Sequence, residues 1–315
     1  MRTLAKMLLI ERKELTCVLS EGIMQWVLAG YCDSYSQSSS HLDPIFPEFQ
    51  LRKIHTLSND CGTHLTILTK RDARTLDKYL AITIANGNIG HLYGTWSGRP
   101  TADIKPVTLK SYYMIKQLQT LYAGIAPEKI LYHHQGSMLS AEEVIARQLL
   151  GQNQVYTKYV NGTEVYVNAN DKAFWTITVD GKQVKLPPFG YYAFSKDKKA
   201  VTYSVEADGR RVDFSRGAEY IYANGNGKLR DFGAIKCAGS YALLFENNAC
   251  ELIAVPFSKA ETVELDCKLI PQMKGKKVVV ALDKDRKELW KRDLKSADEK
   301  LEIPFDGKVF SYKFL

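Results

Sequence analysis

The chain has 315 residues, 45% of them hydrophobic and 25% charged, which excludes a disordered or fibrous protein and leaves room for more than one ordinary domain. Lys and Arg number 43 against 35 Asp and Glu, a net charge of +8. That charge raises nucleic-acid binding, but the basic stretch from 268 to 300 (KGKK, DKDRK, KRDLK) is interleaved with acids, so it reads as a solvated surface and no nucleic-acid partner is expected.

Residues 2–13 read as an amphipathic helix. Glu11 and Glu14 follow its short apolar patch and no small-residue cleavage site appears, so no signal peptide is read and the chain as it stands looks cytoplasmic. The apolar, β-branched run from Leu15 predicts a buried strand over 15–20, with Glu21 at its exit. Asp72 is an N-cap candidate for a helix over 72–80, and YLAITIANG, 79–87, is a second buried-strand candidate stopped by Asn86-Gly87. Residues 109–124 predict a helix: Tyr112, Ile115, Leu118, Gln119 and Tyr122 recur at helical spacing and Gly124 suits a C-terminal stop. Ser140 and Glu143 have the spacing of a capping box. Strands alternating with helices imply a parallel α/β arrangement over 1–150.

Beyond about residue 150 the pattern is strand and turn. VYTKYV-NG-TEVYVN and AFWTITV-DG-KQVKL each place an Asn-Gly or Asp-Gly pair between alternating runs, the strongest short hairpin signal. Pro187-Pro188 with Gly190 makes a corner, and further short runs (VTYSVE, EYIYAN, YALLFE, CELIAVP, ETVELD, KVVVAL, LEIPF) predict a β-sandwich over 151–265, with 266–315 as its closing strands or a second small sandwich. The six cysteines (17, 32, 61, 237, 250, 267) form no CxxC pair and no metal-ligand spacing, so reduced thiols are expected and neither a metal nor a cofactor. No apolar run reaches the roughly 18 residues of a membrane span. His133-His134 lacks a companion carboxylate for a metal, and Asn-Gly-Asn-Gly at 224–227 lies between β runs and reads as a turn.

Chemistry-bearing residues gather after the strand-like runs: Glu21, Trp26 and Asp33 after the first, His55, Asp60 and His64 next, then Asn88, His91, Tyr93 and Trp96. In parallel α/β folds ligands bind at the carboxyl ends of strands. Flat aromatics cover the C–H face of a sugar ring, while carboxylates, amides and imidazoles hold its hydroxyls. A carboxyl held in apolar walls can act as general acid on a glycosidic oxygen. Each residue also has a plainer reading: Glu21 as a cap or a partner of Arg52 or Lys53, the histidines as hydrogen-bonded structural groups, the tryptophans as core.

VLSEG, WVLAGYCDSY, FPEFQLRKIHTLSNDCGTH, LAITIANGNIGHLYG and SYYMIKQLQ, followed by NGTEVYVN…WTITVDGKQVKLPPFGYYAF and RVDFSRGAEYIYANGNGKLRDFG, resemble bacterial glycoside hydrolases of the endo-α-N-acetylgalactosaminidase and α-N-acetylgalactosaminidase group. The resemblance implies the C-terminal part of a (β/α)8 barrel, incomplete, followed by one or two antiparallel β-sandwiches. It implies hydrolysis of α-linked galactose or N-acetylgalactosamine glycosides with retention, and Glu21 as the general acid/base. A retaining pair stands about 5–5.5 Å apart, and the nucleophile would lie upstream of Met1. Three expectations follow: a chain inactive alone, self-association or an upstream partner polypeptide at the open barrel edge, and export of full-length relatives. The alternative is a non-catalytic carbohydrate-binding or structural module.

Overall fold

The computed structural model describes residues 19–21, 34–36, 58–59, 73–90, 104–149, 151, 153–246, 248–255, 261–294 and 299–315. The chain divides into two compact units, Met1–Lys198 and Lys199–Leu315.

Unit 1 begins with three short strands, β1 (Leu19–Glu21), β2 (Ser34–Ser36) and β3 (Ser58–Asn59), paired in parallel in that order. Two helices follow, α1 (Ala73–Ala85) and α2 (Ile104–Tyr122). The α1 stretch from Tyr79 to Ala85 is buried on every side, so its sequence shows no polar face. That explains why 79–87 resembles a buried strand: an apolar run carries no period, and here it continues the helix. The buried pair Lys110–Asp77, at 3.0 Å, joins α2 to α1. Gly90 lies flat against α2, where an added Cβ would come within 2.9 Å of Ile115. Helix α2 closes near Gly124, at φ +71°, as its sequence predicts.

The rest of unit 1 is antiparallel. Strands β4 (Pro127–His134), β5 (Ser137–Leu139), β6 (Gln154–Tyr159), β7 (Glu164–Asn168) and β10 (Gly190–Phe194) form a sheet in the order β5-β4-β6-β7-β10, and β8 (Trp175–Val179) pairs with β9 (Lys182–Leu186) as a hairpin. Asp180 and Gly181 both take positive φ, 51° and 73°, the type I′ turn that an Asp-Gly pair predicts. Between β5 and β6 the short helix α3 (Ala141–Ala146) carries the expected capping box: Ser140 Oγ accepts from the Glu143 backbone, and Glu143 Oε2 accepts from the Ser140 backbone at 2.9 Å. A six-residue helix holds few bonds of its own. Ser140→Ala should therefore cost about 1 kcal/mol, read as a lowered midpoint in urea denaturation.

Unit 2 packs two antiparallel sheets on one core. One runs β11 (Val201–Ala207), β12 (Arg210–Arg216), β13 (Tyr220–Asn224), β16 (Ser240–Glu246), β17 (Ala249–Ala254), β22 (Ser311–Phe314), β19 (Val278–Leu282) and β20 (Glu288–Asp293). The other is 4-stranded, with β14 (Arg230–Asp231), β15 (Ile235–Cys237), β18 (Glu261–Asp266) and β21 (Lys300–Phe305). Alternate residues from both fill the layer between them, among them Ile221, Leu243, Leu252 and Phe314 from the first and Ile235, Val263, Leu265 and Ile303 from the second.

The expected fold, the C-terminal part of a (β/α)8 barrel followed by one or two β-sandwiches, is overturned. Among the described residues strand makes up 48% against 18% helix, with three helices, and the long ladders are antiparallel. Parallel pairing among the described residues is confined to the short β1–β3 ladder. The antiparallel ladder already begins at β4, which pairs with β6 across the apparent change of character near residue 150. Self-association or an upstream partner at an open barrel edge has no barrel to rest on. The predicted helix over 2–13 lies outside the described residues.

Candidate functional site

Of the residues expected to carry chemistry, two are described. Glu21 is the last residue of β1, opposite Ser36 in register. Asn88 is 1% exposed just past the end of α1, and its carbonyl accepts the Tyr122 hydroxyl at 2.9 Å. It follows a helix rather than a strand and helps fasten the two helices. Trp26, Asp33, His55, Asp60, His64, His91, Tyr93 and Trp96 lie outside the described residues.

The described residues place a different constellation in unit 1. The Asn161-Gly162 turn sets β6 against β7 so that Lys158 faces Glu164 and Tyr156 faces Tyr166 in register. Alternation then puts all four on one face, and β10 adds Phe194 opposite Glu164. The rings of Tyr156 and Tyr166 lie 4.7 Å apart, and Tyr166 continues to Trp175 at 5.9 Å. The Glu164 carboxylate accepts both phenols, Tyr156 at 3.1 Å and Tyr166 at 3.5 Å. Burial, reinforced by the Glu164 charge, pushes Tyr166 up to about 12 and Tyr156 higher still. Both phenols thus stay protonated donors at neutral pH.

This face floors a groove of about 480 Å³ whose lining includes Tyr166, Phe194, Asn161 and Thr178 together with three carboxylates and three lysines. The charges are largely spoken for. Lys158 pairs with Glu128 at 3.0 Å, Lys198 pairs with Asp180 and lies over the Phe194 ring, and Glu164 holds the phenols. Lys196 lays its stem across Gly162, where a Cβ would come within 2.8 Å of it. Gly162 also sits at φ +81°, so both its backbone and its bare surface require glycine. No groove carboxylate stands alone in apolar walls, the setting that raises a carboxyl for general-acid work. What the groove offers is a half-buried aromatic face with polar side chains held in place around it.

Elsewhere the described chemistry is structural. His133 stacks on Trp175 at 5.3 Å, with Nδ1 against Gln154 Oε1 and Nε2 accepting from the Gly136 backbone. Cys237, Cys250 and Cys267 form no disulfide among the described residues, and burial pushes the thiols of Cys237 and Cys250 up, away from nucleophilic use. Among the described residues no group of His, Cys, Asp or Glu could hold a metal, and no helix is long and apolar enough to cross a membrane. No protein-family model, curated protein or solved structure matches the chain.

Proposed function

We propose that this chain is a non-catalytic glycan-binding protein and that the unit 1 groove is its sugar site. The observation that carries the reading is the shared carboxylate: Glu164 fixes two phenols at the edge of an aromatic floor, while the other groove carboxylates are neutralised by lysines. Pre-set donors and acceptors around a flat ring suit a pyranose, which presents hydroxyls at its rim and C–H groups on its faces. The segments resembling α-N-acetylgalactosaminidases make α-linked galactose and N-acetylgalactosamine oligosaccharides the first ligands to try. Titration calorimetry should detect binding without release of reducing ends. Tyr166→Ala should weaken it about tenfold, roughly 1.4 kcal/mol.

One observation favours a second reading. Glu21 closes β1, a strand paired in parallel with β2, and ligand sites gather at such strand ends. If the chain hydrolyses α-glycosides with Glu21 as general acid/base, Glu21→Gln abolishes turnover and leaves the fold intact. Turnover by the unaltered chain, lost in Glu21→Gln, would replace the binding reading with this one.

A further inference from the structure

The ladder that forms the groove face has one more rung, and it lies under the β8–β9 hairpin. Gln154 on β6 stands opposite Asn168 on β7, on the same face as the Tyr156–Tyr166 and Lys158–Glu164 rungs. Gln154 is 6% exposed and Asn168 0%. The Asn168 amide offers its two N–H groups to three backbone carbonyls: Ala173 at 2.8 Å, Leu186 at 3.1 Å and Pro187 at 2.9 Å. Ala173 leads into β8, Leu186 ends β9 and Pro187 follows it. One side chain of a floor strand therefore holds both ends of the hairpin that supplies Thr178, Val179 and Asp180 to the groove wall.

The orientation of this amide is dictated by its surroundings. Turned over, Asn168 would aim its oxygen at three carbonyl oxygens. With Nδ2 on the carbonyls, Oδ1 accepts from Gln154 Nε2 at 3.2 Å and from the Asn170 backbone at 3.4 Å. Gln154 is then held with Oε1 toward His133 Nδ1 at 2.6 Å, which places the ring proton on Nδ1. His133 stacks on Trp175, and Trp175 meets Tyr166 of the groove floor. Hydrogen bonds and rings thus close a circuit from the hairpin ends back to Tyr166, and the Asn168 amide is the member that bonds to both ends of the hairpin.

We infer that Asn168 is the positioning residue of the groove: from beneath the hairpin, outside the groove lining, it sets the hairpin wall against the Tyr166 floor. The inference rests on the glycan reading and names the residue that gives that site its shape. In calorimetry Asn168→Ala should bind α-galactosyl and α-N-acetylgalactosaminyl oligosaccharides about tenfold more weakly than the parent, by the same factor at pH 8 and pH 5. Asn168→Asp should behave differently. At pH 8 its carboxylate repels the three carbonyls, whereas on acidification burial favours the protonated form, whose O–H donates to one of them. Its deficit should therefore shrink from about tenfold or more at pH 8 to about threefold at pH 5. Each value is taken against the parent at the same pH, so that titration of His133, reached through Gln154, and of Glu128, Glu164 and Asp180 in the groove cancels. Circular dichroism shows where Asn168→Asp is folded, and Asn168→Ala, neutral throughout, decides the matter if that range is confined to acid. A parent protein that binds neither sugar overturns the glycan reading, and this inference with it. Binding by the parent with undiminished affinity in Asn168→Ala overturns this inference alone, as does a deficit in folded Asn168→Asp that is the same at both pH values.

Discussion

Arg286→Ala is expected to destabilise unit 2 by about 3 kcal/mol. Glu251, on β17, is 1% exposed and opposes Leu244 on one neighbouring strand and Lys313 on the other. Its carboxylate takes two N–H groups from Arg286, one of them Nη2 to Oε2 at 2.9 Å. Arg286 reaches it from the turn between β19 and β20, and the Glu251 hydrogen bond holds the guanidinium pKa above its ordinary value. Removing Arg286 leaves a buried carboxylate with neither partner nor full hydration, and that desolvation is the larger loss. Because Arg286 itself is half exposed, water regains part of the site, so the low end of the range for broken buried pairs applies. Urea denaturation should show the loss, and the double variant Glu251→Leu/Arg286→Ala should recover much of it, because no charge is then stranded. A single variant within about 0.5 kcal/mol of the parent would mean that the pair is a surface contact in solution.

Gly225→Ala is expected to cost a similar amount, about 3 kcal/mol, by a different mechanism. A Cβ at Gly225 would come within 2.5 Å of the Lys228 carbonyl oxygen, 2.6 Å of that of Cys237 and 2.8 Å of that of Ala238. All three are backbone atoms, so no side chain can swing aside. The loop is also pinned where it stands: Gly225 donates to Gly239 at 3.0 Å and Gly227 donates to Ala238 at 2.8 Å. Accommodating one methyl means breaking these bonds or moving the corner between β15 and β16. Gly151→Ala is the control, because nothing lies within 4 Å of a Cβ there. It should change stability by no more than about 0.5 kcal/mol. Equal midpoints for the two variants would show that the loop yields.

Much of the antiparallel part is legible in the sequence because turn chemistry is local. Asp180-Gly181 writes its hairpin in two residues, and Asn161-Gly162 fixes the register of β6 on β7. The Ser140 capping box is legible for the same reason. Helix α1 is legible only in its first part, the helix expected over 72–80; its continuation is not, because Leu80 to Ala85 is buried all round and a helix without a wet face looks like a core strand. Strands β12 (RRVDFSR) and β20 (ELWKRD) are charged enough to pass for loops, and they hold their place by hairpin pairing with the strands just before them, β11 and β19. The candidate site is hidden for a related reason. Tyr156, Glu164 and Tyr166 alternate plainly along their strands, but only the register brings two phenols onto one carboxylate. Expectation went instead to strand exits near the N-terminus, where the aromatic and polar residues are denser in sequence. The catalytic role assigned to Glu21 depended on a barrel around it, and the antiparallel ladders take that frame away.

The most direct test of the central claim is titration calorimetry of the full chain and of Tyr166→Ala with α-galactosyl and α-N-acetylgalactosaminyl oligosaccharides, with released reducing ends measured in the same samples. The groove reading predicts saturable binding by the parent, about tenfold weaker binding by Tyr166→Ala, and no reducing ends from either. Equal affinity in the two proteins, no binding at all, or hydrolysis by the parent would contradict it.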